Sequence, residues 1–289
     1  MKYGIYYSYW EKAWRADYIS YIKKAKNLGF DILEVGCHHF IDMEDEYLLR
    51  LKDEAEQEEV VLTGGYGPDA QHDIASEDAS IVKAAFEKYE ATFKKMKVAG
   101  VKKLGGGLYS YWPVDYSKPI RKEEDRASGI ANIRELADVA ASYEITLGME
   151  VLNRFEGYIL NTCEEAVAFV DEVDRPNIKI MLDTFHMNIE EDSFGDAIRL
   201  AGSRLGHVHL GEANRRPPFA GGRIPWNEIG EALHDIHYEG DVVMEPFVRM
   251  GGEVGNDIRI WHDLSNGCSD EKLDADAAAS VAFLRDLWG

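Results

Sequence analysis

The chain is poor in cysteine, proline and basic residues, and it has no long apolar run. Its three cysteines, Cys37, Cys163 and Cys268, are odd in number and far apart, so neither a disulfide framework nor a thiolate zinc site is indicated. No stretch approaches the ~20 consecutive apolar residues that a membrane-crossing helix needs. At the N-terminus the apolar residues give way to Glu11 and Lys12 too early for a secretory signal. The expectation is a soluble, cytoplasmic protein with no membrane partner. Only 32 Lys and Arg stand against 53 Asp and Glu, a formal net charge of −21. A field of that sign repels phosphate backbones and disfavours nucleic acid, while it attracts divalent cations and leaves a neutral small molecule free to bind.

Apolar residues are plentiful. They make up 45% of 289 residues, enough for a large core. That length exceeds an average domain but suits an α/β barrel, which takes about 250 residues plus insertions. Short apolar runs rich in β-branched residues alternate with longer stretches of helical period. The candidate strands are Lys2–Tyr7, Asp31–Gly36, Val60–Gly64, Lys103–Gly107, Thr146–Leu152, Lys179–Thr184, Gly206–Gly211 and Asp241–Phe247. Between them, Tyr18, Ile22, Ala25 and Leu28 recur at helical spacing, as do Ile133, Leu136, Ala137 and Ala140. Thr162 followed by Glu165 resembles a capping box, and a last helix over Asp274 to Leu287 closes the chain. Strands alternating with crossover helices imply a parallel sheet, and eight such units close naturally into a single-domain (β/α)8 TIM barrel spanning 1–289; an open doubly wound sheet is the rival. The acidic stretch from Glu44 to Glu58 reads as the solvated face of an outer helix.

Two stretches look irregular: Tyr109 to Ser117, with Tyr109, Tyr111, Trp112 and Tyr116, and Gly251 to Glu271. In a barrel both lie at the C-terminal face, where substrate loops sit. The aromatics of the first either line a pocket or make a subunit contact.

Four consecutive strands end in residues able to bind a metal: Glu150 on the fifth, Asp183 on the sixth, His209 on the seventh and Glu245 on the eighth. Strand ends converge on the barrel mouth. Each carboxylate follows an apolar run, where an unpaired charge is costly, and one shared cation resolves all of those costs together. A lone acid at a strand end is commonly a helix cap or a surface ion pair; four in succession point to a metal site. Three oxygen ligands and an imidazole suit Mn²⁺, Mg²⁺ or Co²⁺ better than structural zinc. His207, two residues before His209, points the same way one layer deeper, as packed core or as a support behind the ligands.

At these residues the sequence resembles the ketose 3-epimerases of the D-tagatose 3-epimerase and D-psicose (D-allulose) 3-epimerase family, within the xylose-isomerase-like barrels. The resemblance covers nearly the whole chain. It is carried by Gly4–Tyr7, Gly148–Glu156, Leu182–Asn188, His207–Arg215 and Glu245–Phe247. It implies one divalent metal, Mn²⁺ or Co²⁺, held by Glu150, Asp183, His209 and Glu245, with Glu150 and Glu245 as the acid–base pair. It assigns Glu156, His186 and Arg215 to the substrate oxygens around C1 to C3. Tyr6, Trp112 and Phe247, with Trp14, would bound the far end of the sugar, and Gly65 and Gly107 would let the backbone approach it. The substrate it implies is a small ketose, and the assembly a homodimer or homotetramer.

Epimerising a ketose at C3 removes a proton that is acidic only because the C2 carbonyl can take up charge as a cis-enediolate. Positive charge near O2 and O3 stabilises that species, and two bases on opposite faces of C3 complete the exchange. The expected activity is D-psicose/D-fructose interconversion, with D-tagatose or L-ribulose as alternative substrates. An isomerase or dehydratase on the same barrel is the rival chemistry. A hydride-shift isomerase with two metals needs more carboxylates than the strand ends supply, and a nuclease needs a basic groove that this charge denies it.

Overall fold

In the computed structural model, which describes residues 1–289, eight parallel strands close into a barrel in chain order. They are β1 (Lys2–Tyr6), β2 (Ile32–Gly36), β3 (Val61–Gly65), β4 (Lys103–Gly106), β5 (Thr146–Glu150), β6 (Ile178–Asp183), β7 (Leu205–Leu210) and β8 (Asp241–Met244). The ring is closed by β1 pairing with β8, Gly4 opposite Val243 and Ile5 opposite Met244. The strands are apolar on both faces because helices cover the outside and side-chain layers fill the inside. The helices are α1 (Tyr18–Leu28), α2 (Asp45–Gln57), α3 (Ala79–Ala99), α4 (Lys122–Ser142), α5 (Cys163–Val173), α6 (Thr184–Glu190), α7 (Phe194–Ala201), α8 (Trp226–Asp235), α9 (Gly252–Asp257) and α10 (Asp270–Trp288).

Local sequence explains the helix edges. Tyr18, Ile22 and Ala25 bury one stripe of α1, and Gly29 ends it in the left-handed region. In α2 the buried residues are Leu48, Leu51 and Ala55, so its acids face solvent as expected. At α5, Thr162 accepts the Glu165 N–H at 3.3 Å, while the Glu165 carboxylate takes the Asn161 N–H at 2.7 Å, one residue earlier than in a capping box.

The strands stop sooner than the apolar runs suggest. β1 ends at Tyr6 and gives way to a 3-10 turn over Tyr7–Tyr9; β5 ends at Glu150 and β8 at Met244. At these points the backbone leaves the ladder to build the mouth. The stretch from Gly251 to Glu271 is also less irregular than its composition indicates. It contains α9 and the first turn of α10, where Ser269 accepts the Lys272 N–H at 3.4 Å.

Below the mouth the barrel interior holds buried polar residues, Glu34, Thr63 and His207, beside apolar ones, with Met181 in register with His207. Met181 fills the space left by Gly105, where a Cβ would stand 2.5 Å from its Sδ. At the other end, Lys103 of β4 reaches across to Asp241 of β8 and to the Gly206 carbonyl.

Candidate active site

The four strand-end candidates do converge. One ligand atom from each of Glu150, Asp183, His209 and Glu245 lies within 4.8 Å of the others. Glu150 is the last residue of β5, Asp183 the last of β6, His209 the penultimate residue of β7, and Glu245 the first residue beyond β8. Asp183 plays two parts. One oxygen caps α6 by accepting the Phe185 N–H at 2.6 Å and the His186 N–H at 3.4 Å. The other faces the cluster, 3.9 Å from His209 Nδ1 and 3.4 Å from Arg215. A helix cap and a ligand position are therefore compatible in one carboxylate.

The electrostatics are those of a site short of positive charge. Burial holds the Glu150 carboxyl well above the ordinary carboxylate range, and Glu245 adds to the rise against the pull of His209. For Asp183 burial acts the same way, but His186 and Arg215 outweigh it and its carboxyl lies below the usual value. His209 Nδ1 is buried without a hydrogen-bond partner, 3.5 Å from Glu245. Three buried or half-buried carboxylates around a bare ring nitrogen fit a hard divalent cation, so these residues can hold one.

Beside the cluster lie the residues expected to meet substrate. His186 is 2% exposed, and its Nδ1 faces the Asn153 backbone N–H at 3.2 Å and the Asn153 side-chain amide at 2.7 Å. Two donors on Nδ1 leave the proton on Nε2, which stands 3.6 Å from Glu150. Burial lowers the His186 pKa, against the pull of Asp183 and Glu156 that would raise it. Arg215 is 4% exposed and stacks 3.8 Å from the Phe185 ring centre. Its guanidinium reaches Glu245 at 3.2 Å and Glu156 at 3.3 Å. Its backbone adopts φ 65° and accepts the Phe247 N–H at 2.9 Å, tying this loop to the end of β8.

Above the cluster opens a cavity of about 280 Å³. Every expected site residue except Asp183 lines it: Tyr6, Gly65, Gly107, Trp112, Glu150, Glu156, His186, His209, Arg215, Glu245 and Phe247. Asp183 sits behind them. Gly65 leaves room for the Tyr6 hydroxyl, which would come within 3.2 Å of a Cβ there. Gly107 has looser surroundings. The close approach belongs to Gly106, whose φ of 134° and hypothetical Cβ 2.1 Å from the Tyr66 carbonyl admit no side chain.

Trp14 joins the roof, its indole N–H donating to Asp257 at 2.7 Å and its ring edge-on to Trp112 and Phe247. Of the four aromatics in the stretch after β4, Trp112 is the one lining the cavity; Tyr109 is buried and donates to the Glu150 carbonyl at 2.7 Å. Sequence reasoning missed Asn153, Asp257 and Glu34; His38, near the mouth by its position after β2 but given no role, lines the cavity. Glu34 had one available signal, an acid set among the apolar residues of β2. His207, read as packed core or as a support behind the ligands, lies 3.0 Å from Glu34 beneath the cluster.

The family described as xylose isomerase-like TIM barrel matches residues 22–287 of the chain. A D-psicose 3-epimerase of Agrobacterium fabrum is 50% identical over 289 residues, all of both chains. Another from Ruminiclostridium cellulolyticum is 52% identical over 99% of this chain and 97% of its own. The crystal structure of D-psicose 3-epimerase with D-tagatose from Clostridium cellulolyticum H10 superposes with a TM-score of 0.98 at 51% identity, covering 100% of this chain and 99% of that one.

Proposed function

The chain belongs to the xylose isomerase-like TIM barrel family, and from that premise we propose that it is a ketose 3-epimerase interconverting D-psicose (D-allulose) and D-fructose through a cis-enediolate. The observation that carries the reading is the meeting of Glu150 and Glu245 with Asp183 and His209 beneath a sugar-sized cavity. Glu150, Asp183, His209 and Glu245 would hold one divalent ion, with Mn²⁺ or Co²⁺ proposed and Mg²⁺ acceptable to the same donors. When bound, that ion supplies the Lewis-acid charge beside the carbonyl end of the substrate.

The protein's own groups then divide the work. Glu150 and Glu245 come from strands separated by two others, so they flank a sugar lying across the mouth. One carboxylate takes the C3 proton and the other returns a proton to the opposite face; the roles exchange in the reverse direction. The His186 Nε2–H donates to substrate oxygen near C2, because Asn153 fixes that tautomer. Arg215 and Glu156 bind the C1 to C3 oxygens; burial alone would raise the Glu156 carboxyl, but Arg215 and His186 hold it below its ordinary value, ready to accept a hydroxyl proton. Tyr6, Trp112 and Phe247, with Trp14, enclose the far end of the ketose, and Gly65 and Gly107 line the same cavity without side chains.

A cytoplasmic setting is part of the proposal, supported by three free cysteines. No helix is long and apolar enough to cross a membrane. Assembly as a homodimer or homotetramer is proposed as well; exposed Phe155 and Trp261 on loops of the mouth are apolar surface that association would cover. The test of function is chromatographic analysis of D-psicose incubated with EDTA-treated protein, with and without added Mn²⁺. Metal-dependent formation of D-fructose is expected. An aldose or a dehydrated product instead would overturn the reading.

A further inference from the structure

Beneath the four converging side chains lies a second group of buried polar residues that the reaction itself does not use: Glu34, Thr63 and His207. We propose that Glu34 is a positioning residue for the metal site, holding the His209 ring so that its Nδ1 lone pair faces Glu150, Asp183 and Glu245. The proposal rests on the reading above that His209 is a metal ligand.

Glu34 is 1% exposed, and a carboxylate in such a place needs donors. It has two hydrogen-bonding partners, on β3 and β7, and a further imidazole close by. Thr63 of β3 donates its hydroxyl to Oε2 at 2.7 Å. His207 Nε2 lies 3.0 Å from that same oxygen. His209 Nε2 meets Oε1 at 2.5 Å. An ionised carboxylate only accepts hydrogen bonds, so the His209 proton sits on Nε2. A neutral imidazole with its proton there has a bare Nδ1, and Nδ1 is the atom found without a hydrogen-bond partner on the cluster side. The other tautomer would aim an N–H at Asp183 and Glu245 and close the coordination position. Glu34 therefore selects the ligating tautomer and fixes the ring plane, while Thr63 and His207 keep its carboxylate in place. The Tyr6 ring, 6.4 Å from the His209 ring centre, bounds the space into which an unheld imidazole could turn.

Partners of this kind typically change metal affinity 10–100-fold. The experiment is Mn²⁺ binding to EDTA-treated full-length protein by equilibrium dialysis, for wild type, Glu34→Gln and Glu34→Ala, with circular dichroism as the check of fold. Affinity is expected to fall in the order wild type, Gln, Ala, with the Ala variant weaker by roughly 10–100-fold. Excess Mn²⁺ should restore turnover to the Gln variant, which keeps an acceptor for the ring proton. A second readout uses the Co²⁺-loaded wild type. Its proton NMR spectrum in H₂O should contain a hyperfine-shifted exchangeable imidazole proton, protected by Glu34, that broadens or disappears in the variants. Loss of affinity without loss of this proton would mark a merely structural role and overturn the proposal. So would absence of the proton from the wild-type spectrum, or variants that bind Mn²⁺ as tightly as wild type. If wild type itself binds no Mn²⁺, the metal-site reading falls and takes this one with it; if wild type binds and the variants are unchanged, only this one falls.

Discussion

Asp73, in the loop that follows the β3 wall of the cavity, carries a charge that the fold tolerates poorly. Its side chain is buried, accepts one N–H from Ala75 at 2.9 Å, and has no basic partner among its hydrogen bonds. Burial raises its pKa from 3.8 to about 6, with Asp125 adding repulsion against the pull of that one backbone hydrogen bond. The folded protein thus holds the proton more tightly than the unfolded chain does. The associated stability is fully present below the unfolded value of 3.8 and is lost as pH rises through about 6. The difference corresponds to ~3 kcal/mol lost by pH 8, about half of it already lost by pH 5. Asp73→Asn keeps an acceptor for Ala75 and removes the charge. It should be more stable than wild type by ~3 kcal/mol at pH 8, which is a rise of about 6–12 °C in Tm, and by roughly half as much at pH 5. Calorimetry of EDTA-treated wild type and variant at several pH values between 5 and 8 gives the comparison. A Tm difference that does not change with pH, or a variant less stable than wild type at pH 8, would refute the reasoning.

Other substitutions probe the site itself. Glu150→Gln and Glu245→Gln should each remove most turnover, on the order of 10²–10⁴-fold, and weaken Mn²⁺ binding as well; near-normal activity in either would contradict the acid–base assignment. Trp112→Ala opens the wall that Trp112 builds with Trp14, and should raise KM for a six-carbon ketose more than it lowers kcat; an unchanged KM would remove Trp112 from the substrate contacts. Asn153→Leu takes the side-chain donor from His186 Nδ1 while leaving the metal cluster alone. Turnover should fall by about tenfold with Mn²⁺ affinity unchanged, and equal losses in both would show that Asn153 acts on the cluster instead.

The barrel was legible because its strands are covered on both faces, so each reads as a short apolar run with a helix after it. The four converging residues were legible for the same reason: three are carboxylates closing apolar runs, where a charge has no easy partner, and a barrel sends those ends and His209 to one place. Asp183 shows how far that argument reaches, since the helix cap and the cluster position turned out to be two oxygens of one side chain. Glu34 escaped because its partner His209 is 175 positions away and no spacing connects them. The roof escaped likewise, with Trp14 bonded to Asp257 across 243 positions. Asn153 was in plain view within the motif, but its role depends on the direction of an imidazole ring, which only side-chain geometry reveals. Tyr109 and Trp112 were indistinguishable as loop aromatics until the backbone turned one inward under β5 and the other over the cavity.

The central claim is that Glu150 and Glu245 move a proton at C3 across a metal-dependent site. It is tested most directly by proton NMR of D-psicose in D₂O with enzyme and Mn²⁺, beside an EDTA-treated control. The account predicts D-fructose carrying deuterium at C3, formed only when metal is present. D-fructose formed without deuterium at C3, or an equal rate in the EDTA-treated control, would contradict it.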